Sequence, residues 1–82
     1  MDKIELTIQQ IMADVFEKSV EQISLDSTQD DIDSWDSLRH LNLIVALEEE
    51  FGIELPIEEI GNLISFKLIN IIVEEQFQIN KK

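Results

Sequence analysis

Apolar residues return along this chain at helical intervals, and polar stretches divide the pattern into four segments. In the first, Ile4, Ile8, Ile11, Met12, Val15 and Phe16 recur three or four residues apart, the spacing of one helix face. A polar stretch rich in Asp, Ser and Gln runs from about Glu21 to Ser34. It is long for a connection in so small a chain, and such loops are functional or partly disordered more often than short ones. Ile23, Leu25 and Ile32 are spaced to pin it to a core.

The second segment runs from Ser37, or one turn earlier, to Phe51. Gly52 can take the left-handed cap and Ile53 the apolar contact that accompanies it. A short third helix is expected over Pro56–Gly61, with Pro56 suited to the first turn. Ser65 can cap a fourth, in which Phe66, Ile69, Ile72, Val73 and Phe77 line one side. No convincing strand, repeat or domain boundary interrupts this order. The expected fold is all-α: a small four-helix bundle forming one domain over residues 1–82, with a long first loop and a short third helix.

The second helix departs from an ordinary surface helix. At about 100° per residue, Leu38, Leu41, Ile44, Val45 and Phe51 share one side. Leu43 and Leu47 widen that arc to roughly 200°, beyond the usual apolar stripe. A helix so apolar needs neighbours on two flanks, which makes it central to the bundle. The arc could be solidly packed, or it could form a seam that opens for an apolar guest.

Charge changes the picture more than composition does. The 82 residues include 44% hydrophobic residues, enough for one modest core. Against this stand 18 acidic and 6 basic residues, a net charge of −12. Self-repulsion on that scale destabilises a compact domain and disfavours nucleic acid and anionic membranes, leaving basic protein surfaces as natural partners. The start "MDKIEL" does not read as a signal peptide, and runs such as Leu43–Leu47 are too short to span a bilayer. A monomeric cytoplasmic protein is expected. There is no cysteine, so the chain has no thiol of its own.

Candidate chemistry concentrates around Ser37. It lies in the first turn of the apolar helix, where free backbone N–H groups and the dipole favour a phosphate ester. It could also be a simple cap, but Asp33, Ser34 and Asp36 compete for that role. Glu48, Glu49 and Glu50 oppose the macrodipole at the other end of the helix, either as a solvated face or as a docking ridge for Arg and Lys. His40 is the sole histidine. It follows Ser37 on the same helix without a strained turn or oxyanion loop, so a hydrolase pair is not supported, and a place at the edge of the apolar arc is expected. Counted from Asp26, the sixth position is Asp31 rather than Gly and the twelfth is Ser37 rather than Glu, which argues against a calcium loop. No glycine-rich phosphate loop exists, and no metal site is expected. Trp35 reads as a local anchor holding the loop to the helix start.

The triplet Asp36-Ser37-Leu38 opening an amphipathic helix, followed by "LIVALEEEFGIELP", closely resembles the acyl carrier proteins, from about Ile4 to Gln76. The resemblance implies a carrier, not an enzyme. Ser37 would receive 4′-phosphopantetheine from coenzyme A through a phosphopantetheinyl transferase, flanked by Asp36 and Leu38. Acyl groups would ride on the arm's thiol as thioesters, serving acyl-transferring, condensing or acyl-activating enzymes with basic docking surfaces. It further implies an acyl pocket walled by Leu41, Ile44, Val45, Leu47 and Phe51, and a partner-facing surface including Arg39, Asn42, Glu48 and Glu49. The usual Leu-Gly before Asp-Ser-Leu is replaced here by "IDSW". Fatty-acid carriers also generally show acidic residues soon after the serine, where this chain has Arg39 and Asn42. These departures favour a specialised carrier for polyketide, modified-lipid, surface-polysaccharide or aminoacyl chemistry over a housekeeping one. The Gly-Gly and His or Asp that precede the serine in peptide-synthetase carriers match Ser34-Trp35-Asp36 poorly. An aminoacyl carrier of the D-alanyl type, or an acidic docking module without a prosthetic group, are the alternatives.

Overall fold

The structure, a computed structural model, describes residues 3–24 and 26–80, with Ile79 and Asn80 as backbone alone. Among the described residues four helices follow one another: α1 over Lys3–Phe16, α2 over Ser37–Phe51, α3 over Ile57–Ile60 and α4 over Phe66–Asn80. Two 3₁₀ turns, Val20–Gln22 and Gln29–Asp31, lie between α1 and α2. Among the described residues the only β-type pairing is an isolated antiparallel bridge between Thr28 and Ser65.

The repeating apolar positions of α1 and α4 meet as their spacing predicts. Ile8, Met12 and Phe16 of α1 and Phe66, Ile69 and Val73 of α4 are fully excluded from solvent. α1 packs on both α2 and α4. Phe51, at the end of α2, meets Phe77, late in α4, edge to face at 6.0 Å between centroids.

The long first loop is built rather than loose. In each 3₁₀ turn a side chain takes the backbone N–H three residues earlier: Ser19 N–H donates to Gln22 Oε1 at 3.0 Å, and Thr28 N–H to Asp31 Oδ2 at 3.0 Å. Ile23 and Ile32 are buried and pin the loop, as expected; Leu25 lies outside the described residues. Gln9 of α1 stitches the first turn down, donating to the carbonyls of Val20 and Ile23. The second turn is tied to the start of α4, with Gln29 N–H donating to Ile64 O and Phe66 N–H to Ser27 O.

Helix ends follow local chemistry. Gly52 adopts φ 64° and ends α2, and Ile53 behind it is buried. Ser65 Oγ accepts from Leu68 N–H at 3.1 Å, the expected cap of α4. α3 is shorter than expected, because Pro56 has an extended ψ of 134° and precedes the helix.

The apolar arc of α2 needs correction. Leu43, Ile44 and Leu47 form its buried face, whereas Leu38, Leu41 and Val45 are 69%, 56% and 53% exposed. Phe51 is half-buried. The residues read as the margin of the arc, Leu43 and Leu47, are its centre. α1 covers one flank of α2, but the single turn of α3 is too short to cover the other.

Candidate functional site

Ser37 is the first residue of α2, and Asp36 caps the helix by accepting the Arg39 N–H at Oδ1, 2.9 Å away. Asp36 and Ser37 are both exposed. The backbone of His40 closes the first turn onto Asp36 O. No hydrogen bond among the described residues takes the N–H groups of Ser37 and Leu38. An exposed hydroxyl thus stands beside unpaired donors at the positive end of a 15-residue helix, an arrangement suited to an attached or bound anion.

Beside this hydroxyl lies a cavity of about 260 Å³, lined by Gln29, Ser37, His40, Leu41, Gly61 and Ile64. Its walls come from the loop, from the first turn of α2 and from the α3–α4 junction. Four hydrogen bonds brace them. Gln29 N–H donates to Ile64 O at 2.8 Å, and the Gln29 amide reaches Trp35 O at 3.4 Å. Trp35 Nε1–H donates to His40 Nδ1 at 2.9 Å, and His40 Nε2 lies 2.7 Å from Ile60 O. An indole nitrogen only donates and a carbonyl only accepts. The imidazole is therefore in the Nε2–H form, accepting from Trp35 and donating to Ile60.

Trp35 is buried and packs against Phe16 with the rings tilted by 30° and centroids 4.7 Å apart. It anchors the loop to the helix start, as its position suggested. His40 does more than mark the edge of the apolar arc, because it joins α2 to the end of α3. Nothing in the linear sequence signals its partner, which is a backbone carbonyl twenty residues on.

The expected partner-facing residues divide. Arg39 turns inward: Nη1 donates to Val15 O at 2.6 Å, and Nη2 pairs with Glu17 Oε2 at 2.8 Å. Glu48 is half-buried, and its Oε2 accepts the Leu55 N–H at 2.9 Å, holding the segment before α3. That bond supplies the local compensation which the sequence did not display. Asn42 and Glu49 are exposed.

The five expected pocket residues do not surround one cavity. Leu41 borders the cavity beside Ser37. Ile44 borders a second, of about 420 Å³ between α2 and α3, together with Glu48, Leu55, Pro56, Ile57 and Ile60. Phe51 borders a third, of about 290 Å³ near the start of α1. Leu47 is fully buried in the core, and Val45 faces outward. Among the described residues, no group of three or more His, Asp or Glu side chains could hold a metal ion.

Residues 7–66 match the family described as the phosphopantetheine attachment site. An acyl carrier protein of Rickettsia bellii is 36% identical over 59 residues, covering 72% of this chain and 69% of that protein. The solution structure of the holo acyl carrier protein of Geobacter metallireducens superposes with a TM-score of 0.83 at 27% identity, covering 95% of this chain and 90% of that one.

Proposed function

The chain belongs to the phosphopantetheine-attachment family, as an acyl carrier domain, and from that premise we propose that Ser37 is the residue that bears the arm. The protein is a carrier rather than an enzyme, and its prosthetic group is phosphopantetheine. The arm supplies the thiol that this cysteine-free chain lacks. The observation that carries the assignment to Ser37 is its exposed hydroxyl at the capped start of α2, with the neighbouring N–H groups unpaired. In the loading step, the Ser37 oxygen bonds to phosphorus. The pyrophosphate link of coenzyme A breaks, 3′,5′-adenosine diphosphate leaves, and a base on the transferase takes the serine proton.

Enzymes acting on the arm dock on the exposed face of α2. Leu38, Leu41 and Val45 offer apolar contact there, and Asn42 and Glu49 supply polar and acidic contact. Arg39 is drawn away by Glu17 and leaves this face without a free positive charge. A specialised pathway suits this surface, since the first turns of α2 lack acidic residues after Asp36. The single domain works as a cytoplasmic monomer, in the compartment that holds coenzyme A. No helix among the described residues is long and apolar enough to cross a membrane.

Intact mass after incubation with coenzyme A and a broad-specificity phosphopantetheinyl transferase tests the assignment. One added prosthetic group is expected, and none on Ser37→Ala. No gain, or equal gain by the alanine variant, refutes it.

A further inference from the structure

Trp35 and His40 are left over once Ser37, its cap and its docking face have been used. Yet they form the bracing of the cavity beside Ser37. Among the described residues, the imidazole is the α2 side chain that lines this cavity and bonds across to the opposite wall, at Ile60 O beside the lining Gly61. Ile60 is the last residue of α3, a single turn whose outward Ile57 is 86% exposed. Ile60 and the flanking, buried Leu55 and Leu63 pack the turn onto the core, but an element this short has few such contacts, so polar tethers add to its hold. Two run to it from α2: Glu48 holds the segment before it through Leu55 N–H, and His40 holds its end. The far side of the imidazole is fixed in turn by the indole of Trp35, itself clamped on Phe16.

We infer that His40 is a strut that sets the aperture of the cavity beside Ser37, and so governs how well an apolar group carried on the arm is shielded from water. This rests on the assignment of the arm to Ser37. His40 touches no reacting atom in this role; it is a positioning residue. Removing the imidazole loosens the end of α3 from α2, leaving it held by the packing of Ile60 and Leu63 on the core. Leu41 and Ile64, the apolar lining on either side, then separate. Replacing it with Gln keeps one acceptor for Trp35 and one donor for Ile60. Trp35→Phe keeps an aromatic ring beside Phe16, removes the donor that orients the imidazole and leaves a smaller ring in a buried position.

The test uses the protein loaded by a transferase from octanoyl-coenzyme A and, separately, from acetyl-coenzyme A, with thioester cleavage by hydroxylamine followed by mass spectrometry. An octanoyl chain offers apolar surface to a lining that includes Leu41 and Ile64, and an acetyl group offers almost none. His40→Ala is expected to speed octanoyl cleavage about three- to tenfold, the factor by which losing one hydrogen bond of ordinary net strength shifts an opening equilibrium. Acetyl cleavage should stay unchanged, His40→Gln should restore the slow octanoyl rate, and Trp35→Phe should fall between. In the unmodified protein, the Trp35 indole proton should be protected from exchange by His40 and lose that protection in His40→Ala. Equal octanoyl rates in wild type and His40→Ala, or equal acceleration of both thioesters, would overturn the strut. If His40→Ala does not fold, Trp35→Phe decides by the same comparison. Failure to load Ser37 at all would defeat the attachment assignment instead, before any aperture is measured.

Discussion

Arg39 of α2 pairs with Glu17 just beyond α1, Nη2 to Oε2 at 2.8 Å, while its Nη1 takes the Val15 carbonyl at 2.6 Å. Glu17 has a left-handed φ of 57°, so the guanidinium bonds both to a helix-end carbonyl and to the residue that turns the chain away. One of the few positive charges is thereby spent on holding two helices together. The ion pair alone is worth little, because both groups are partly solvated, but a charged donor on an end carbonyl adds to it. Arg39→Met should cost about 1–2 kcal/mol in urea unfolding, and Glu17→Gln less than half of that. Equal losses from the two would mean that the Val15 bond contributes nothing.

Neighbouring positions on α2 should respond very differently to truncation. Leu47 is fully excluded from solvent and Val45 is not. Leu47→Ala should cost about 2–5 kcal/mol through lost burial and a cavity; Val45→Ala should stay within about 0.5 kcal/mol. Denaturant melts of the two variants check this, and a large loss at Val45 would show that its face is covered in solution.

Glu48 and Glu49 carry the same charge at the same helix end, but among the described residues only the Glu48 side chain has a backbone partner, Leu55 N–H. Glu48→Ala should destabilise by about 1 kcal/mol. Glu49→Ala should be neutral or slightly stabilising, because it removes a charge that opposes the dipole. The order of the two melting temperatures is the readout, and the reverse order would contradict the Glu48 contact.

Asn70 is buried on α4. Its Nδ2 donates to Phe66 O at 2.8 Å, while Oδ1 is buried without a partner among the described residues. An unpaired buried acceptor costs about 1–3 kcal/mol. Asn70→Leu, similar in shape, should therefore raise stability by about 1 kcal/mol or more. Thermal unfolding that shows no gain would mean that water or a shifted neighbour satisfies the oxygen.

With a net charge of −12, moderate salt or divalent cations should raise the melting temperature by screening repulsion. A melting temperature that is flat or falls on such additions would show that repulsion is a minor term.

Local spacing and end chemistry carried much of the reading. The helical repeat of Ile8, Met12 and Phe16 located α1, and Gly52 and Ser65 marked a stop and a start, because each depends on residues within one or two turns. Ser37 was legible for the same reason: an N-terminal turn presents its donors whatever surrounds it. The spacing of Ile23 and Ile32 shows that the loop between α1 and α2 is pinned to the core, but not its further ties to Gln9 and to the start of α4, both remote in sequence.

The order of the four helices, the acidic surface and the place of the candidate serine follow from the chain alone, since each is set by near neighbours or by composition. Tertiary packing decided which part of the broad apolar arc of α2 is covered, because coverage depends on the size of the neighbour, and α3 is one turn long. It also decided that Arg39 faces α1, that Glu48 serves the backbone, and that His40 spans the cavity to Ile60. Those three side chains meet main-chain groups from other parts of the fold, and a main-chain group has no letter by which a sequence could announce it.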